Sequence, residues 1–362
     1  MANNQLGIFV THNIIRKMLD QSAPDRDMDI VRANEGFGMN MIYFSRKDID
    51  YEKNRVLGTY FNQNQKKWEQ REFSFPTLLY RRVGGLKKTQ NKKLQAFLRK
   101  NNVRFVNYID GFNKWEMYQV LSKNSSLNVH LPNTKLYRNP IDLSVMIAKY
   151  KHVYLKGVKG GKGRQVMSVK KVGRSYECCY FRKRLRRIRL RHFHLLIRKI
   201  KQFYKGQPFI IQQPIQLLKL KGRLLDIRAE VQRDGKNNLQ VVGECMRWGN
   251  ARSPITTHAN SYPLETFLRK NLRYREKDVK RLQKKIKRVV TNVSRELDLK
   301  YGSVGEIGVD LGLDRRGRLW LIECNSRSSK VSLEKAYGRE KRREAYKMLL
   351  AYTQRMLKGG TV

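Results

Sequence analysis

The sequence predicts a mixed α/β (α+β) protein divided into two or three lobes. Three observations point there. The chain has 362 residues, long enough to bury more than one core. Compact apolar runs, among them 6–10, 153–156 and 208–215, alternate with segments at helical spacing. Residues 305–326, GEIGVDLGLDRRGRLWLIECNS, read with period two as consecutive strands.

That last stretch carries the strongest chemical signal. Ile307, Val309, Leu311 and Leu313 fall on one side and Glu306, Asp310 and Asp314 on the other, the alternation of a half-buried strand. The RRGR of 315–318 predicts a tight connection, after which Leu319, Leu321, Glu323 and Asn325 share a face. With such a loop, Asp310 stands opposite Glu323, and Asn325 lies one step further along. Carboxylates paired across a ladder repel unless a cation lies between them. The pair therefore predicts a Mg²⁺ site of hard oxygen donors, with positions open to phosphate and water.

Charge narrows the partners. Against 78 Lys and Arg stand 30 Asp and Glu, a net charge of +48, while 40% of residues are hydrophobic. A folded chain with such a field attracts nucleic acid, an anionic polymer or an acidic peptide. Cys178, Cys179, Cys245 and Cys324 form no CxxC pair or zinc-like spacing and read as reduced thiols. The opening MANNQLGIFVTHN lacks the pattern of a signal peptide, and no apolar run is long enough to span a bilayer. The expected location is cytoplasmic.

Residues 6–10 suit a buried first strand and 13–20 a helix, followed by β-rich pieces at 29–44, 55–61 and 75–83. Residues 87–100 read as a basic helix and 103–106 as strand. A helix opens near Lys114 and runs to about Ser122, with 130–134 extended after it. The strand 153–156 runs into GVKGGKGR and a second strand, 165–169, forming a glycine-rich flap whose amides can close over phosphates. No GK[ST] opens a helix there, so this is not a Walker loop, and the flap alone does not require a nucleotide. Residues 181–205, FRKRLRRIRLRHFHLLIRKIKQFYK, read as a strongly basic helix that could bind nucleic acid or an acidic substrate, without any accompanying RNA or helix-turn-helix motif. Arg228 and Arg247 fall on neighbouring strands of an antiparallel sheet to which the Asp310 hairpin also belongs. Val279, Leu282, Ile286, Val289, Val290, Val293 and Leu297 mark a long amphipathic helix over 277–299, and 333–357 a closing basic helix.

Taken in order, these pieces resemble the ATP-grasp enzymes, and within them the YheC/YheD-like group of endospore-forming bacteria. The resemblance rests on NKWEMYQVLS, HLPNT, VYLKGVKGGKGR, LLDIRAEVQRDG and GEIGVDLGLD…LWLIECNS, covers roughly 75–330, and reaches LGIFV more loosely. It implies an ATP-grasp fold: an N-terminal pre-ATP-grasp α/β lobe (1–112), a central subdomain with the flap and basic helix (113–207), a C-terminal subdomain with the metal site (208–335), and a basic helix and tail (336–362). By similarity, Lys114 and Lys156 would contact ATP phosphates, with Gly160, Gly161 and Gly163 in the flap closing over them. Gln212, Gln213 and Ile215 would form the hinge whose backbone reads adenine, with Asp226 near the ribose. Arg228 and Arg247 would stabilise the transferred phosphoryl group. Asp310, Glu323 and Asn325 would hold one or two Mg²⁺ ions, or Mn²⁺ in their place.

The chain departs from the group at Gly157, where proline is usual, at 326–329, SRSS, where a proline–glycine pair is common, and at Arg81, where asparagine is frequent. None of these removes a phosphate lysine or a metal ligand. The activity implied is ATP-dependent ligation of a carboxylate to an amine through an acyl phosphate, and the basic surface would attract an acidic peptide or polymer as a substrate to be extended or modified. Two other readings are a spore-associated ATP-binding protein that turns nothing over, and a nucleic-acid binder using 181–205.

Overall fold

The computed structural model describes residues 4–83, 88–107, 111–161, 165–182, 184–250 and 259–359. Three sheets organise them, each with its own core. The first lobe comprises β1 (Gln5–Phe9), α1 (His12–Leu19), α2 (Asp25–Asn34), β2 (Asn40–Phe44), β3 (Ile49–Asp50), β4 (Arg55–Asn62), β5 (Lys67–Ser74), β6 (Leu78–Arg81), α3 (Lys88–Lys100) and β7 (Arg104–Phe105). Its sheet runs β3-β4-β2-β1-β6-β7 with β5 on β4, and β1 lies parallel to both β2 and β6. A strand in that position is covered on both faces, which explains why all of QLGIF is buried. Helices α1 and α2 pack on one face and α3 on the other. The β-rich reading of 29–44 holds only for its end. Asp25–Asn34 is helical, entered through Pro24 with Asp25 and Asp27 in the first turn, where the helix dipole favours acids.

The central region holds α4 (Lys114–Ser122), α5 (Ser125–Asn128), β8 (Thr134–Leu136), α6 (Pro140–Tyr150), β9 (His152–Gly157), β10 (Val166–Val172), β11 (Ser175–Arg182), β12 (Arg184–Leu190), α7 (Phe193–Tyr204) and β13 (Phe209–Gln212). Its antiparallel sheet runs β12-β11-β10-β9-β13-β8, with α6 and α7 over one face. The basic helix expected over 181–205 is therefore corrected: only 193–204 is helical, and 184–190 is a strand paired to β11. Ile188 and Leu190, two apart, meet the apolar side of β11 beside Cys178 and Tyr176. The arginines around them fit either period, so the pairing partner decides.

The third sheet uses β14 (Lys219–Leu220), β15 (Arg223–Arg233), β16 (Leu239–Trp248), β17 (Asn260–Pro263), β18 (Glu306–Leu313) and β19 (Leu319–Asn325), in the order β17-β16-β15-β18-β19 with β14 on β15. Helices α8 (Leu264–Leu272) and α9 (Glu276–Tyr301) back it, and every apolar residue predicted for the long helix is buried there. Met117, Leu121 and Leu127 of α4 and α5 join this same core, although they precede the central sheet in sequence.

The last helix, α10 (Val331–Leu357), is kinked at Gly338, where φ is +86°. Leu333 packs with Cys245 and Val242 of the third sheet, whereas Tyr346 to Leu357 pack into the first lobe. Among the described residues no helix is long and apolar enough to cross a membrane.

Candidate active site

The third sheet has one apolar face, covered by α9, and one polar face. Ile227, Ala229 and Val231 of β15 and Ile307, Val309 and Leu311 of β18 fill the core side. Opposite them, Arg228 pairs in register with Asp310, and Asp310 with Glu323, forming one row across β15, β18 and β19. The expected juxtaposition of the two carboxylates is present. The expectation of a half-exposed strand is corrected: all of β18 is buried on both faces.

The repulsion between the carboxylates is offset by the chain's own cations. Arg228 Nη1 donates to Asp310 Oδ1 at 2.5 Å and its Nε to Glu230 Oε1 at 3.1 Å. Arg247 lies 3.2 Å from the same Asp310 oxygen and grips Asp226 with two bonds of 2.6 Å. Burial alone would raise the Asp310 pKa, but the two guanidinium groups outweigh it and hold the carboxyl below its ordinary range. Asn325 Nδ2 reaches Asp310 Oδ2 at 3.4 Å.

Glu323 is matched from the other side of the cleft. Lys114, the first residue of α4, sits there because Asn113 caps the helix by accepting from the Trp115 and Glu116 amides. Its ammonium lies 3.0 Å from Glu323 Oε1 and donates to the Gly160 carbonyl at 2.8 Å. Gly160 has φ +116°, a conformation that a side chain would strain, and this exposes its carbonyl to Lys114. Lys156 of β9 donates to Gln212 Oε1 at 2.6 Å, and Gln212 donates in turn to Thr134. Burial lowers the Lys156 pKa to about 8, with Glu323 and Asp310 opposing that shift and Lys114 adding to it. Lys114, Lys156, Gly160, Gly161, Gln165 and Glu323 line one small cleft between the second and third sheets.

The remaining expected residues divide. Gln213 binds Asn133 through its own amide N–H (2.9 Å) and through its side-chain oxygen (3.0 Å). Ile215 lies beside Gly312 of β18, so the hinge segment does approach the carboxylate strand. Asp226, expected near the ribose, is buried, and its carboxylate takes both bonds from Arg247. Gly163 lies outside the described residues. Glu230, which steadies Arg228, was missed; its two-residue offset from Arg228 on a strand was the available signal.

The donor set suits magnesium. Asp310, Glu323 and Asn325 offer two carboxylates and an amide oxygen, all hard oxygen ligands. Among the described residues no group of three or more His, Cys, Asp or Glu side chains could hold a metal. Burial pushes the Cys178 thiol up to about 12 and also raises Cys245 and Cys324, which disfavours the thiolate at these three positions.

Gly308 makes the Arg228 geometry possible, because a Cβ there would lie 2.7 Å from the guanidinium carbon. Gly308→Ala is expected to displace Arg228 and destabilise the fold by about 1–3 kcal/mol through overpacking. In a thermal double-mutant cycle most of that loss should vanish on an Arg228→Ala background. Additive losses would show that the two positions act separately.

Known proteins resemble this chain in sequence and in fold. The chain is 24% identical over 335 residues to the endospore coat-associated protein YheD of Bacillus subtilis (strain 168), covering 89% of this chain and 72% of that one. Its fold is similar to that of the D-cycloserine synthetase DcsG, at a TM-score of 0.58 and 10% identity over 97% and 99% of the two chains. It is also similar to the ATP-grasp ligase PsnB complexed with a minimal precursor, at 0.53 and 13% over 97% and 100%. The YheC/D-like ATP-grasp family model matches residues 102–356, a span that contains every side chain of the cleft just described, and the chain belongs to that family.

Proposed function

We propose that this chain is an ATP-dependent ligase that joins a carboxylate to an amine, with an acidic peptide or polymer among its substrates. A carboxylate oxygen of one substrate attacks the γ-phosphorus of ATP, releasing ADP and giving an acyl phosphate. An amine then attacks the acyl carbon and expels phosphate. Such chemistry asks the protein chiefly for positioning and charge stabilisation, because the nucleophiles come from the substrates.

One observation carries the reading: Lys114 and Lys156 line a cleft with Glu323, and Asp310, paired with Glu323 across the ladder, gathers Arg228, Arg247 and Asn325. Lys114 and Lys156 would take the phosphates, and the flap would close over them. Arg228 and Arg247 would stabilise the transferred phosphoryl group once its oxygens displace Asp310 from them. Asp310, Glu323 and Asn325 would hold Mg²⁺, which neutralises phosphate charge when bound. Gln212, Gln213 and Ile215 would face the base. The nearby Asp226 is committed to aiming Arg247.

The test is twofold. Mg-ATP is expected to raise the Tm of the native protein and to leave that of Glu323→Gln unmoved. Purified protein is expected to release ADP when offered the right pair from a panel of amino acids and acidic peptides. The relatives' description as endospore coat-associated favours a second reading, a spore protein that binds ATP without turnover. A Glu323-dependent Tm rise with no ADP release across the panel would select it. No Tm rise at all would remove both.

A further inference from the structure

The basic run of 181–205 has no part in the chemistry above. Folded, it places β12 outermost in the central sheet, paired to β11 along one side and, among the described residues, to no strand along the other. Four of its seven residues, Arg184, Arg186, Arg187 and Arg189, are exposed arginines. Glu177 is the sole acid in residues 143–225.

The registers fix which way two of these arginines lie. Tyr154, Ser168, Cys179 and Arg187 form one row across β9 to β12, and His152, Lys170, Glu177 and Arg189 form the next. Lys156 shares the face of Tyr154 and His152, since side chains alternate along a strand. The opposite face is covered by α6 and α7. Arg187 and Arg189 therefore stand on the same face as the lysine that borders the nucleotide cleft. A single charge is enough to discourage accidental pairing at a sheet edge. Four guanidinium groups of one sign exceed that need and match a partner of opposite charge.

We propose that β12 is the docking edge for an extended acidic polypeptide segment, which rests on the ligase reading above because that segment would carry the substrate carboxylate. The segment adds to β12 as a further antiparallel or parallel strand, continuing the backbone ladder. Its alternate Asp or Glu side chains meet Arg187 and Arg189 in charge-assisted bonds. The ladder is what separates this partner from nucleic acid, which offers anions but no amides to continue the sheet.

The experiment uses the full chain and fluorescence anisotropy with three labelled probes: a deca-glutamate, the same peptide N-methylated at alternate amides, and an oligothymidylate of equal charge. The plain peptide should bind at least tenfold tighter than the methylated one and than the oligothymidylate. Arg187→Gln with Arg189→Gln should weaken it at least tenfold, while Lys277→Gln with Lys284→Gln, which removes the same charge from the solvent face of α9, should change it less than twofold. The arginine variant should keep the native Tm and its full Mg-ATP shift. Equal binding of plain and methylated peptides, tighter binding of the oligothymidylate, or equal loss in both variants would overturn the docking edge while a normal Mg-ATP shift left the ligase reading standing. Absence of that shift in the native protein would instead overturn the ligase reading.

Discussion

Lys330→Met is expected to destabilise the protein by about 3–5 kcal/mol, the cost of leaving a buried charge without its partner. Lys330 is fully buried, and its ammonium is bonded to Glu306 Oε2 on β18. Glu306, 1% exposed, also accepts from the Tyr80 hydroxyl of the first lobe at 2.7 Å. The Tyr346 ring of α10 lies 4.9 Å from the ammonium. Burial would lower the Lys330 pKa, but Glu306, Tyr346 and Glu230 together outweigh it and raise it. Removing the lysine strands a carboxylate where no water can reach it. Pairing Lys330→Met with Glu306→Gln should recover most of the loss, since a neutral amide tolerates the site better than a lone charge. Chemical denaturation of the four-member cycle measures this. A single variant within 1 kcal/mol of native would show that the carboxylate takes a proton from solvent at little cost. The effect should reach the cleft, because Lys330 follows Asn325 by only five residues, with Ser326 and Ser328 buried between them.

Lys156→Met should do the reverse, sparing the fold while lowering Mg-ATP affinity at least a hundredfold, about 2.7 kcal/mol. Desolvation holds the Lys156 pKa at about 8 in the folded state, against 10.5 ordinarily. Between those values the unfolded chain binds the extra proton, so this group's contribution makes stability rise with pH across that window. The variant should lack that rise. A triphosphate beside the ammonium favours its charged form, so binding takes up a proton and affinity falls as pH climbs above about 8, by up to tenfold per unit. Calorimetric titration of Mg-ATP between pH 7 and 9.5 reads both effects, and Lys156→Arg should bind with no such slope. Unchanged affinity in Lys156→Met would place the phosphates elsewhere.

Much of the cleft was legible because its signals are local. Asp310 and Glu323 are joined by a short turn, so period two and a loop length suffice to set them opposite each other, as the register confirms. The glycine-rich flap and its flanking strands are likewise contiguous. The partners of those side chains were not legible. Arg228 meets Asp310 only because β15 inserts between β16 and β18, an order that differs from the sequence. Tyr80 and Glu306 are 226 residues apart. The strand of 184–190 escaped for another reason: with arginine on both faces its periodicity is blurred, and only the neighbour it pairs with selects strand over helix.

The kinked α10 has a mechanical consequence. Its first turns are riveted to the third sheet and its last turns to the first lobe, with the Lys330 pair at one end and Arg342 bonded to the buried Asp29 further along. The two outer lobes thus share a strut and form one jaw, whereas the core of the central sheet contains no residue of that helix. The central sheet therefore meets that jaw through separate contacts, among them Lys114, which bonds both Gly160 beside the central sheet and Glu323 of the third.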